Sequence, residues 1–353
     1  MNGSFLPGDV TLLLKDITGS LAPIPTRERE LLIQSGTHYS EMLPLEYAPS
    51  PEYMRAFELA LDNFAEMTAS AVARVSGKIY RRRGKNVVLV SLARSGTPIG
   101  ILLKRYMKRG YGVNVPHYGI SIIRGRGIDK NAVKFILDRH PPDTLQFVDG
   151  WTGKGAILRE LKSALTEFPG IDQEMAVLAD PPRLTSLSGT REDFLIASAC
   201  LNSTVCGMMS RTILHSDLIG EGDFHGCVFY DKLKDEDKTY TFIDRIESRF
   251  KFERYEAETP VAMEFDGMEE AREIASEFNI SDINLIKPGV GETTRVLLRR
   301  VPGVVLFKPG CDSRYISHLI TLAREKNTPT MEYPLVNYNA CGIIKTVPAD
   351  AHT

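Results

Sequence analysis

Two stretches of this chain constrain its fold more tightly than any others. Each runs from an apolar strand through a polar, glycine-bearing turn directly into a helix. In the first, Val87, Val88, Leu89 and Val90 form a β-branched-rich run, and the turn is Ser91, Leu92, Ala93, Arg94, Ser95, Gly96, Thr97 and Pro98. An apolar helix over 99–107 follows, and Pro98 suits its first turn, where a missing N–H costs nothing. In the second, a strand over 145–148 meets Asp149, and Gly150-Trp151-Thr152-Gly153-Lys154-Gly155 opens a helix at Ala156. Backbone amides of such a turn converge on one point, and the helix adds the positive end of its dipole. That point suits a phosphate, and a carboxylate just before it can accept from sugar hydroxyls. A plain strand-to-helix turn uses the same residue types, glycine for the bend and threonine as a cap. The recurrence of the unit, with the Arg94 guanidinium beside free loop amides in the first copy, is what points to a pyrophosphate-type site.

The rest of the chain extends this alternation. Met54, Phe57, Ala60, Leu61, Phe64 and Met67 recur at helical spacing and predict a helix over 51–78. The basic run 81–85 reads as a solvated turn. Strands are expected at 9–15, 111–115, 120–123 and 175–178, and helices at 131–139 and 156–166. Strands alternating with helices imply a mainly parallel sheet with its site at the carboxyl ends of the strands. Arg124 and Arg126, set between glycines, read as a lid that neutralises a leaving anion, with an exposed charged turn as the plainer reading. The region 191–250 carries a second polar cluster. Within it, Cys200 with His225 and Asp223 can be read as thiol nucleophile, base and orienting acid, or Cys200 as a small apolar filler.

Beyond residue 281 a second, smaller α/β unit is expected. It has strands at 283–286, 304–307 and 330–332, a glycine-rich loop at 287–294, and helices at 295–300 and 313–326. Lys287, Arg295, Arg299, Arg300 and Lys308 outnumber Asp282 and Glu292 there; phosphate contacts from such a face are salt-sensitive. The acid-rich stretch 256–273 is the expected linker. With 353 residues, two or three domains are expected. A net charge of −2 argues against bulk electrostatic capture by nucleic acid or an anionic membrane and leaves room for a local basic face. The five cysteines are odd in number and lack metal-type spacing. With no basic leader segment and no apolar run near ~18 residues, a reducing, cytoplasmic chain is expected. Without GxGxxG after a strand, hydride transfer is disfavoured.

The two turns resemble the pyrophosphate and phosphoribosyl-pyrophosphate (PRPP) loops of type I phosphoribosyltransferases. The chain departs from that pattern with one acid, Asp149, where two are usual, Trp151 where a base-contacting acid often stands, and Gly155 in place of a final Thr. The phrases at 38–42, 121–129, 149–157 and 199–204 are similar to a narrower bacterial group of tellurium-resistance and stress operons. That group is described as a phosphoribosyltransferase-like domain followed by a Pelota-type RNA-binding domain, and it also carries the label cysteine protease StiP. The resemblance spans nearly the whole chain. It implies an α/β phosphoribosyltransferase-like domain over 1–270, with its parallel-sheet core at about 51–185 and a hood for the acceptor at about 186–260, and a Pelota-like domain over 271–353. It implies a Mg²⁺-assisted phosphoribosyltransferase that makes a nucleoside-like metabolite from PRPP, with no protein side chains as metal ligands. Asp149 would hold the ribose hydroxyls and, with Arg124 and Arg126, carry catalysis. Arg94, Ser95, Gly96 and Thr97 would hold pyrophosphate, and Thr152, Gly153, Lys154 and Gly155 the 5-phosphate. Lys287, Arg295 and Arg299 would contact RNA. Two alternatives are a cysteine protease or other thiol hydrolase using Cys200, and a non-catalytic RNA-binding regulator.

Overall fold

The computed structural model describes residues 3–252 and 267–345. The chain opens with short pieces: β1 (Thr11–Leu12), β2 (Lys15–Asp16), β3 (Pro23–Ile24), α1 (Thr26–Gln34) and β4 (Leu43–Pro44). The expected strand at 9–15 is thus split, and its halves join different sheets. The long helix α2 (Pro51–Arg83) follows, with Pro51 in its first turn. Its buried stripe is rich in alanine (Ala56, Ala60, Ala65, Ala69, Ala73) between Phe57, Phe64, Val72 and Ile79, which lets it lie close on the sheet. The helix outruns the expected 51–78, because the first part of the basic run continues it to Arg83, while Arg81, Arg82 and Lys85 stay exposed as expected. Arg83 donates to Gln146 Oε1 at 2.9 Å and to Asp172 at 2.8 Å, and cations in a last turn also complement the helix dipole.

The core then alternates: β5 (Val88–Ala93), α3 (Gly96–Tyr111), β6 (His117–Ile123), β7 (Gly127–Ile128), α4 (Lys130–Leu137), β8 (Leu145–Trp151), α5 (Ala156–Leu165), β9 (Met175–Ala179) and β10 (Ser188–Thr190). The sheet order is β1-β6-β5-β8-β9-β10, parallel throughout, with β7 folding back antiparallel on β6. Strands β5 and β9 are apolar along almost their whole length, as parallel strands covered on both faces are. Leu89, Ile99, Leu102 and Met107 join the layer of α2 and α3 on one face. Val88, Val90, Phe147, Ile136 and Leu161 join α4 and α5 on the other. The strand expected at 111–115 does not form: Gly112, left-handed at φ 69°, stops α3 by donating to the Met107 carbonyl, and the sheet resumes only at His117. The expectation of an α/β fold with a mostly parallel central sheet and a small C-terminal domain is met.

After β11 (Gly226–Cys227), which pairs with β2, helix α6 (Thr239–Glu247) packs on α2 and α3. The C-terminal unit comprises α7 (Gly267–Glu277), β12 (Ile286–Pro288), α8 (Val290–Arg299), β13 (Pro302–Phe307), α9 (Ser313–Glu325), β14 (Thr330–Glu332) and β15 (Ala340–Ile344). Its sheet runs β12-β15-β13-β14, parallel only between β13 and β14. The segment 287–294 is no extended loop: Gly289, at φ 101°, turns β12 directly into α8. Of the expected linker, 256–266 lies outside the described residues, and 267–273 is helical in α7. Among the described residues no helix is long and apolar enough to cross a membrane.

Because β5 and β8 are neighbours, their two turns meet at the carboxyl edge of the sheet. At that seam a Cβ on Gly96 would lie 2.6 Å from the Val148 carbonyl oxygen and 3.2 Å from the Asp149 Cα. Gly96→Ala should therefore push α3 off β8 and cost about 1–3 kcal/mol, as overpacking does. Gly222→Ala, where nothing lies within 4 Å, should leave thermal unfolding unchanged. Equal melting temperatures for the two variants would contradict the close seam.

Candidate functional site

The carboxyl edge of the parallel sheet is covered by the C-terminal unit, and between them lies a cavity of about 190 Å³. The N-terminal side contributes Ser95, Arg124, Asp149, Trp151, Thr152, Gly153 and Lys154; the C-terminal side contributes Ile286, Lys287, Pro288, Glu292 and Arg295. Asp149 sits at its base, accepting from the Gly150 N–H at 2.7 Å and the Ser95 hydroxyl at 3.1 Å. Burial pushes its carboxyl up to about 6 against those donors. Burial also disfavours the charged form of Glu292, but Arg295 and Lys287 outweigh it and hold Glu292 below the usual carboxylate range. Arg295 pairs with Glu292 at 3.1 Å and stands over the Trp151 ring at 4.9 Å. The two carboxyls of one cleft thus titrate in opposite directions.

The expected anion loops are only partly assembled around this cavity. Arg94 is turned away from it: the guanidinium is buried against Glu46 at 2.8 Å and the Met209 carbonyl at 2.9 Å. Glu46 in turn accepts from the Ser203 N–H and hydroxyl. Gly96 is spent on the seam with β8, and Thr97 is fully buried with no hydrogen-bond partner for its hydroxyl among the described residues. Thr152 donates to Asp180 at 2.8 Å. Lys154 reaches across to the carbonyls of Ile283 and Ile286, and burial draws its amine down to about 8. Gly153 lines the cavity, and its carbonyl accepts from Tyr338 at 3.0 Å. Gly155, left-handed at φ 81°, begins α5. The two lid arginines separate: Arg126 pairs with Glu41, while Arg124 faces the cavity and donates to Asn284 at 3.2 Å. Sequence reasoning missed the role of Glu292, and it missed Asp193 and Glu46. Nothing in the local sequence shows that these residues sit against partners in distant segments.

The second cluster assembles differently from its reading. Cys200 is fully buried, and burial pushes its thiol up to about 12 even though Arg299 and Arg295 favour the thiolate. Arg299 donates to the Cys200 carbonyl at 2.7 Å, to the Ala199 carbonyl at 3.2 Å and to Asn202 at 2.6 Å. His225 and Asp223 do not join this thiol. The His225 ring bonds the Ser121 hydroxyl at 2.8 Å, and the backbone N–H of His225 donates to Asp129; Asp223 pairs with Lys15 at 2.6 Å. All five cysteines are free, and only Cys311 is partly exposed. Among the described residues no group of three or more His, Cys, Asp or Glu is placed to hold a metal ion.

Residues 3–247 match a family model described as tellurite-like stress resistance cysteine protease StiP, and residues 265–346 match a Pelota RNA-binding domain. A protein of Acinetobacter baylyi named cysteine protease StiP is 37% identical over 343 residues, covering 92% of this chain and 89% of that protein. These findings overturn the phosphoribosyltransferase reading, for both the family and the relative are named as cysteine proteases. The Mg²⁺ expectation came with that transfer chemistry; the cavity carries Arg124, Lys154, Lys287 and Arg295 against Asp149 and Glu292.

The half-buried Asp149 makes stability depend on pH. Its folded value of about 6 lies above the ordinary 3.8, so the folded state holds this proton more tightly than the unfolded chain does. The stability tied to that proton is complete below about pH 4 and is lost as pH rises through about 6, a loss of about 3 kcal/mol. Asp149→Asn should abolish that loss, raising the urea midpoint at pH about 7.5 while matching the wild type at pH about 4. Parallel pH profiles for the two proteins would contradict it.

Proposed function

The chain belongs to the StiP family of tellurite-like stress resistance, and from that premise we propose that it is a cysteine protease whose nucleophile is Cys200 and whose C-terminal domain covers that thiol. The observation that carries the reading is the grip of α8 on the Cys200 segment: Arg299 and Arg295 bind the carbonyls of residues 199 and 200, and the thiol beneath is wholly buried. A thiol attacks a peptide carbonyl as the thiolate. Two guanidinium groups favour that form here, and burial outweighs them. The covered state is therefore unreactive. Among the described residues no imidazole is hydrogen-bonded to a cysteine, so a reactive arrangement needs α8 to move and water to enter. The match of residues 265–346 to a Pelota RNA-binding domain supports RNA as the partner that the covering domain meets.

Hydrolysis of fluorescently labelled casein by the full chain tests this reading. Arg299→Ala should loosen the cover and raise the rate roughly tenfold, a change worth about 1.4 kcal/mol. Cys200→Ala, alone or combined with Arg299→Ala, should abolish hydrolysis in protein that still melts cooperatively. Hydrolysis that survives Cys200→Ala would overturn the assignment, as would no Cys200-dependent hydrolysis in the Arg299→Ala protein.

A further inference from the structure

The cavity between the domains is not used by the protease reading, and its charge pattern is unusual for a structural seam. Lys287 is half-buried, and its ammonium has no hydrogen-bond or ion-pair partner among the described residues. Burial lowers its affinity for a proton, Glu292 opposes that, and Arg124, Arg300 and Arg295 add to it. Arg124 and Lys154 also face one another's field across the cavity. An unpaired, partly desolvated cation among other cations is costly to keep unless an anion arrives. The acids on hand fall short of the cations: the charge of Glu292 is shared between Arg295 and Lys287, and Asp149 is held by Ser95 and Gly150 at the base.

We propose that this cavity is a phosphate site built jointly by the two domains, and that its occupant is a phosphate of an RNA strand held by Arg124, Lys287 and Arg295. The observation favouring RNA is continuity. Lys287 and Arg295 lie in the segment matched to an RNA-binding domain, while Arg124 comes from the turn after β6 in the other domain. The strand would therefore span both domains rather than rest on the C-terminal one alone. Of the three cations expected at the RNA face, Arg299 does not line the cavity, its guanidinium being committed to residues 199, 200 and 202. Arg295 does line it while also bonding Glu292 and the Ala199 carbonyl, and Arg124 takes the place of Arg299. Arg124 is exposed, and among the described residues its side chain hydrogen-bonds only Asn284, so it can swing onto a ligand without unfolding the protein.

Fluorescence anisotropy with a 5′-labelled oligouridylate of roughly 12 nucleotides, on the full chain across a salt series, tests this. Arg124→Ala and Lys287→Ala should each weaken binding about fivefold or more and flatten the log–log salt slope by about 0.7 for each phosphate that is no longer neutralised. Lys108→Ala, an exposed cation on α3, should change neither beyond the general screening effect. Calorimetry with uridine monophosphate separates the two sources of phosphate. If the mononucleotide alone binds and both variants lose it, the phosphate site stands with a free nucleotide as occupant. RNA binding by the wild type that neither variant weakens would overturn the proposal, as would binding of neither probe.

Discussion

One buried carboxylate holds the two halves of this molecule in register. Asp193 leaves the N-terminal domain just after the last sheet strand and accepts from the Val290 N–H at 2.9 Å and the Asn339 N–H at 2.8 Å; the Asn339 side chain returns a bond to its carbonyl. Burial raises its carboxyl to about 7 against those donors. Those bonds fix where α8 starts and how it points, and the ionised form is further favoured by the dipole of the helix. Stacking of Phe64 on Tyr315 at 5.9 Å and the bond from Tyr53 to the Leu298 carbonyl secure the same helix layer. Everything of functional interest lies on one side or the other of α8.

The helix separates two sites of opposite character. Its Arg295 and Glu292 form a wall of the cation-rich cavity. Arg299, one turn on and beside Arg295, presses on the segment that carries Cys200. A displacement of α8 would reshape the cavity and uncover the thiol together. Two-site communication of this kind requires a ligand with different affinity for the two positions of the helix. A phosphate strand that draws Arg295 toward Arg124 has that property, because its contacts depend on where α8 lies.

The parallel sheet and its paired turns were legible in the sequence because both signals are local. An apolar strand, a glycine-bearing turn and a helix start lie within about a dozen residues of one another. What the side chains of those turns do was not legible, since their partners lie far along the chain. Arg94 meets Glu46, and Lys154 meets Ile283 and Ile286; no spacing rule connects such positions. Cys200, His225 and Asp223 show the converse error. They are close in sequence, yet Ser121 and the α4 cap Asp129 capture His225, and Lys15 captures Asp223. The C-terminal cations were visible as a cluster, but only the fold shows that Arg124 joins them and Arg299 leaves. The family resemblance identified the group correctly; the transferase chemistry inferred from its loops did not survive comparison with proteins named as proteases.

In the proposed protease, docking of the C-terminal domain through Asp193 and α8 keeps Cys200 covered. The most direct measurement is the alkylation rate of each cysteine by iodoacetamide, read by peptide mass spectrometry in the native protein and in Asp193→Ala. In the wild type, partly exposed Cys311 should react and Cys200 should not. In the variant, Cys200 should react at least about tenfold faster, while Cys227, buried and bonded to the Ser210 carbonyl, stays unreactive. Wild-type Cys200 reacting as fast as Cys311, or a Cys200 rate indifferent to the loss of Asp193, would contradict the covered thiol.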